Sequence, residues 1–117
     1  MTCILVPSPA PTIVATPLGL VEEGTTVTLQ CSVTHARPGA TLQWFRGQYD
    51  QLHGDFHQAT SYDDVSVHTI ELRAHGSDHG VTYRCVACNR LNEQEMTSGY
   101  AMAVLCESQV NLRLIFI

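Results

Sequence analysis

Thr25-Thr26-Val27-Thr28-Leu29-Gln30-Cys31-Ser32-Val33-Thr34-His35 decides the fold. Val27, Leu29, Cys31 and Val33 fall on one face of an extended chain, and Thr26, Thr28, Gln30, Ser32 and Thr34 fall on the other. That period of two marks a half-buried strand. Glu22-Glu23-Gly24 is the turn into it and Arg37-Pro38-Gly39 the turn out of it. Beyond that turn, Thr41 to Arg46 reads as a second strand with Leu42 and Trp44 facing the same way as Cys31. Val65 to Ala74 resumes the alternation, with Ile70 and Leu72 as its inward pair. After the turn His75-Gly76-Ser77-Asp78-His79-Gly80, a strand from Val81 to Cys88 places Tyr83, Cys85 and Ala87 inward. Asn89 to Ser98 reads as a polar loop and Gly99 to Leu105 as the last strand.

The remaining stretches are weaker. Gly47 to Asp64 is polar and poorly patterned, which predicts a loop with one or two short edge strands. Pro7, Pro9, Pro11 and Pro17 make the start an extended lead-in to an edge strand, because proline cannot donate to a ladder. Residues 1–10 suit an inter-domain linker. No segment sustains a helical period. Short strands separated by turn chemistry at about 8–12-residue spacing predict an all-β antiparallel sandwich or barrel.

The chain of 117 residues holds one compact domain. An apolar content of 44% with 15% charged residues excludes a disordered tail, and a net charge of −5 argues against nucleic acid, whose phosphates call for a basic face. Five cysteines tilt the compartment toward the oxidising, extracellular side, and the odd number leaves at least one thiol over. Met1 to Val6 lacks the features of a secretory signal, so a signal is expected outside this chain. Leu112 to Ile117 is interrupted by Arg113 and far short of the ~20 residues that span a bilayer, so no membrane insertion by this fragment is expected.

Cys31, Trp44 and Cys85, in that order and spacing, resemble the Cys-Trp-Cys constellation of the immunoglobulin superfamily. Glu22 to Cys31 resembles the family's approach to its first cysteine, and Leu42-Gln43-Trp44-Phe45 its third strand. The resemblance implies an immunoglobulin-like Greek-key sandwich of about seven to eight strands over residues 11–106, with residues 107–117 a tail or the start of a further segment. It also implies a Cys31–Cys85 disulfide packed on Trp44, with Leu29, Leu42, Leu72 and Tyr83 in the core. Such a bridge closes a loop of about 55 residues, worth roughly 4 kcal/mol on the chain-entropy model.

Tyr83, two residues before Cys85, occupies the place of the family's corner tyrosine, whose hydroxyl bonds back to the turn upstream. Asp78 and Gly80 each stand one position further from Cys85 than the family pattern has them, which puts in doubt any salt bridge from Asp78 to a basic partner. The short interval between Trp44 and Cys85 and the absence of a Phe-Gly-x-Gly bulge disfavour a variable domain. Tyr83-Arg84-Cys85-Val86-Ala87-Cys88-Asn89 resembles the ending of intermediate-set domains in adhesion proteins, nephrin-like ones among them.

Other chemistry finds little support. Cys85-x-x-Cys88 has metal or redox spacing, but on a strand the two side chains point to opposite faces, leaving Cys88 outward and open to an intermolecular disulfide. Cys3 and Cys106 flank the sandwich at opposite poles, so no bridge between them is expected; pairing outside the fragment or free thiols are the alternatives. The pairs His53/His57 and His75/His79 fall in loops, where four-residue spacing stacks nothing, and all six histidines read as solvated. Asp50, Asp55, Asp63 and Asp64 lack the EF-hand pattern. With no nucleophile elbow, His-Glu-x-x-His or phosphate loop, no enzyme activity, metal or cofactor is expected.

The functional expectation is a protein-binding module of a cell-surface or secreted adhesion or recognition protein. Its partner is another protein, with a homophilic or related immunoglobulin-like domain as the natural choice. Candidate contacts are the loops of residues 36–39 and 90–97, including Arg90, and the face bearing Gln43, Phe45, Val86 and Cys88. Alternatives are a spacer domain, including an intracellular sarcomeric type with reduced cysteines, and a soluble immune decoy.

Overall fold

The computed structural model describes residues 5–52, 60–62 and 65–105. The alternating stretch forms β3 (Thr26–Thr34), whose apolar side is buried at every second residue. Around it the chain builds β1 (Thr12–Thr16), β2 (Leu20–Glu22), β4 (Thr41–Arg46), β5 (Asp50–Gln51), β6 (Thr60–Tyr62), β7 (Val65–Arg73), β8 (Thr82–Cys88), β9 (Met96–Ala101) and β10 (Ala103–Leu105). One 3-10 turn, Gly76–Asp78, is the only helical element among the described residues.

The first sheet has the order β1-β3-β7-β6 and the second β5-β4-β8-β9, each wholly antiparallel. Consecutive strands cross between layers from β3 to β4 and from β7 to β8, the pattern of a sandwich with Greek-key connections. A third pairing, β2 with β10, is parallel. It arises because the first edge strand is broken: Pro17 has no amide to donate and Gly19 takes a positive φ of 89°, so the chain leaves β1 and rejoins at β2 beside the last strand.

Strand ends and the chain start depart from expectation in three places. The last strand begins at Met96, inside the segment read as a polar loop, and is interrupted at Met102. Met102 still donates to the Val81 carbonyl and accepts from the Gly80 amide, so β9 and β10 continue one line. The poorly patterned stretch, by contrast, holds two short edge strands, β5 and β6, in line with its reading. The proline-rich start is not a free linker throughout: Val6 forms an isolated bridge with Arg37, and Ser8 is buried.

The core lies between the sheets, where Val27, Leu29, Cys31 and Val33 meet Leu42, Trp44, Ile70, Tyr83, Cys85 and Ala87. The Cys31–Cys85 disulfide crosses its centre and Trp44 is 1% exposed. The indole donates to the His68 carbonyl at 3.3 Å, which satisfies the one polar atom of that ring. Leu72 is half-buried and packs against this cluster from near the end of β7. His68 departs from the expected solvated histidines: it is 9% exposed and pairs in register with Cys31, because even-numbered positions of β7 from Ser66 to Ile70 point inward. Burial of each large aliphatic side chain in such a core contributes about 1.5–3 kcal/mol.

Candidate functional site

Three surfaces of the domain carry organised side chains. At the pole where β8 begins, the Asp78 carboxylate is held by three neighbours. Its Oδ1 accepts from Arg46 Nε at 3.0 Å, Arg46 Nη2 at 2.9 Å and the Tyr83 hydroxyl at 3.0 Å, while Oδ2 accepts from the His75 amide at 3.0 Å. The expected doubt about an Asp78 salt bridge is thus overturned. The extra residue is absorbed by the 3-10 turn, which aims Asp78 inward at Arg46 despite the shifted spacing. Burial acts to raise the Asp78 pKa, but the His75 amide, Arg46 and Tyr83 together outweigh it and hold the carboxyl below its ordinary value. Tyr83 is pushed up, first by burial and then by its bond to the carboxylate. The hydrogen bond to Asp78 likewise raises the Arg46 guanidinium. A charge so fully satisfied is structural.

At the opposite pole two asparagines do similar work without charge. Asn89 Nδ2 donates to the carbonyls of Val6 and Pro38, each at 2.9 Å, and its Oδ1 accepts from the Leu91 amide at 3.0 Å. Asn92 Oδ1 accepts from the amides of Asn89 and Ser8, and its Nδ2 donates to the Ser8 carbonyl. The chain start, the turn after β3 and the turn after β8 are therefore one bonded unit. Sequence reasoning missed this clamp. Its only signal was that residues with both a donor and an acceptor stood in a predicted loop.

The third surface is the outer face of the β5-β4-β8-β9 sheet. Register places Thr41, Gln43, Phe45, Gln51, Thr82, Arg84, Val86, Cys88, Thr97, Gly99 and Ala101 there. No carboxylate lies among these described residues. Arg84, their one cation, stacks 5.0 Å from the Phe45 ring centroid and donates to the carbonyls of Gly47 at 3.0 Å and Gln48 at 2.6 Å. Four of the five proposed contacts, Gln43, Phe45, Val86 and Cys88, share this face; Arg90 lies in the turn beyond it and is exposed. Val86 is only 6% exposed and Phe45 half-buried, so neither forms the protruding apolar patch that their types suggested. The exposed side chains of this face are Thr41, Gln43, Thr82, Thr97 and Ala101.

Among the described residues no three His, Cys, Asp or Glu side chains gather as metal ligands. His53, His57, Asp55, Asp63 and Asp64, together with Cys3 and Cys106, lie outside the described residues. His79 accepts from the Val104 amide at 3.0 Å and so fastens the 3-10 turn to β10.

With sandwich, bridge and tryptophan in place, the immunoglobulin-domain family model matches residues 17–98. The chain belongs to the immunoglobulin domain family. Solved structures agree with this immunoglobulin fold at low sequence identity. Rst D1-D2 is 20% identical with a TM-score of 0.71, over 86% of this chain and 51% of that one. The mouse nectin-like molecule 4 ectodomain is 24% identical with a TM-score of 0.70, over 85% of this chain and 35% of that one. Dpr2 Ig1-Ig2, solved in complex with DIP-Theta Ig1-Ig3, is 20% identical with a TM-score of 0.60, over 84% and 33%. Titin immunoglobulin domains match as well. The chain spans from about a third to half of the length of these three matches.

Proposed function

We propose that this immunoglobulin domain is a protein-binding module of a cell-surface or secreted adhesion or recognition protein, not an enzyme, and that it binds a second immunoglobulin-like domain through the outer face of the β5-β4-β8-β9 sheet. The observation that carries this reading is that the outward register positions of that sheet hold no carboxylate and a single charge, Arg84, in a molecule of net charge −5. Two copies meeting through a two-fold contact can set a charge against its own kind, so a face poor in charge, its one cation stacked on Phe45, is where self-recognition costs little. The opposite face, by contrast, carries Glu71 and Arg73 among threonines, both exposed. Charge depletion with an aromatic and an arginine at the centre is the composition of an interface core. The solved complex of Dpr2 with DIP-Theta, an immunoglobulin-domain pair, lends support from a distant relative. The disulfide favours an oxidising compartment.

Thr97→Glu and Gln43→Glu place a carboxylate on the face of both copies, whereas Gln30→Glu places one on the opposite sheet. Sedimentation velocity is expected to show self-association for the wild type and Gln30→Glu and a weakening of at least tenfold for the other two. Equal behaviour of all four proteins contradicts the assignment.

The titin matches favour a second reading, a spacer domain within a longer array. A wild type that stays monomeric at every concentration supports that reading.

A further inference from the structure

The register of the β5-β4-β8-β9 sheet makes its outer face complementary to itself. Gln51 pairs with Phe45, Phe45 with Arg84 and Arg84 with Gly99, so these residues form one row across the strands. The next row toward the β4–β5 turn holds the paired Thr82 and Ala101, level with Gly47, whose amide donates to the Thr82 carbonyl at 2.8 Å. Tyr49 stands in that turn, two residues before Gln51, and is 84% exposed. Tyr49 and Ala101 are thus each two residues from the first row, at the same end of the sheet. Large side chains occupy the β5 side of the face, and the smallest residues, Gly99 and Ala101, lie exposed on the β9 side.

The turn that carries Tyr49 is pinned. Arg84 Nε and Nη2 donate to the Gly47 and Gln48 carbonyls at 3.0 and 2.6 Å, and Gly47 takes the positive φ of 70° that the bend requires. A tyrosine presented on an ordered backbone loses little freedom on becoming a contact, and exposed aromatics of this kind anchor interfaces.

A two-fold axis in the contact plane, along the midline between β4 and β8, lays β5 of one copy on β9 of the other and β4 on β8. Only at the midline does each copy cover all four strands of the other. The rotation reverses each row, so Gln51 faces Gly99 of the second copy, Phe45 faces its Arg84 and Tyr49 faces its Ala101. Each large side chain then meets a small residue, and each cation meets an aromatic ring instead of its own counterpart. An axis across the strands lays β4 on β4 and β8 on β8 and loses this match. Aligned sheets keep their strand directions within about 30° of each other, which a two-fold axis within about 15° of the strands provides.

We propose, building on the outer-face contact above, that the partner is a second copy of this chain joined about that midline axis, with Tyr49 of each copy seated over Ala101 and Gly99 of the other. Tyr49→Ala removes the projecting ring, and Ala101→Tyr fills the place that receives it. In sedimentation velocity of the full chain, each variant alone is expected to self-associate about tenfold or more weakly than the wild type. An equimolar mixture of the two variants is expected to associate about as tightly as the wild type, because the mixed dimer holds one native contact and one in which the ring comes from the opposite side.

Variants that weaken association without rescue on mixing overturn the axis and leave the outer face standing. Variants that associate as the wild type does overturn the axis too, and Thr97→Glu and Gln43→Glu then report separately on the face. A wild type that stays monomeric at every concentration overturns both readings. Isotope-filtered NMR on a mixture of labelled and unlabelled wild type needs no variant to fold. A contact between the Tyr49 ring and the Ala101 methyl of the other copy is expected there, and intermolecular contacts of that ring to other strands, or none, overturn the proposal.

Discussion

At the scale of single residues, Asp78 shows how a buried charge couples this immunoglobulin domain to pH. Its carboxyl sits below the ordinary pKa in the folded state, so the protein gains stability wherever the unfolded carboxyl is ionised. That contribution is fully present above about pH 4 and is lost as pH falls through the lower folded value. Tyr83 works in the other direction. Its folded pKa is raised, so its contribution is present below about pH 10 and is lost as pH rises through the folded value. Asp78→Asn is expected to cost about 3 kcal/mol near neutrality and to flatten the acid limb of stability, because Arg46 loses its ion-pair partner. Tyr83→Phe is expected to cost about 1 kcal/mol and to flatten the alkaline limb. Urea midpoints measured from pH 3 to 11 check both, and unchanged limbs in either variant would refute the coupling. The sequence identified Tyr83 as the corner residue but misjudged Asp78, because counting positions from Cys85 takes no account of a turn that can tighten by one residue.

At the scale of elements, packing between neighbouring strands decides what sequence propensity leaves open. A Cβ at Gly99 of β9 would meet the Thr82 methyl of β8 at 2.8 Å, well inside contact distance. Valine suits a strand better than glycine, so propensity alone predicts that Gly99→Val stabilises β9. The contact predicts the reverse, a loss of about 1–2 kcal/mol. Thr82→Ser removes that methyl, so Gly99→Val made in the serine background is expected to recover most of the loss. A double-mutant cycle by chemical denaturation measures the coupling, and additive effects would show that the close approach is immaterial. This interval was poorly legible for the same reason. Met96 to Ser98 carries no strong strand signal of its own and is extended because β8 offers it a ladder. The chain start is a similar case: its prolines speak of an extended segment, while Asn89 and Asn92, over 80 residues away in sequence, determine that it docks.

At the scale of the whole molecule, the two-layer plan was legible because its strongest signals are local. The alternation of Val27, Leu29, Cys31 and Val33 requires a buried face, and Trp44 and Cys85 supply the facing layer. The proposed binding surface was only half legible. Alternation placed Gln43, Phe45, Val86 and Cys88 on one face, but their exposure depends on neighbours the alternation does not name, above all Arg84 lying over Phe45. What distinguishes that face is the absence of carboxylates at its outward positions across four strands, a property of register and not of any one segment.

The most direct measurement of the central claim is a map of amide chemical shifts of the intact chain as its concentration is raised a hundredfold. The account predicts that shifts move at Gln43, Phe45, Arg84, Val86, Thr97 and Gly99 while Thr28, Gln30 and Thr69 on the opposite sheet stay still. Movement confined to the opposite sheet, or none on either, would contradict it.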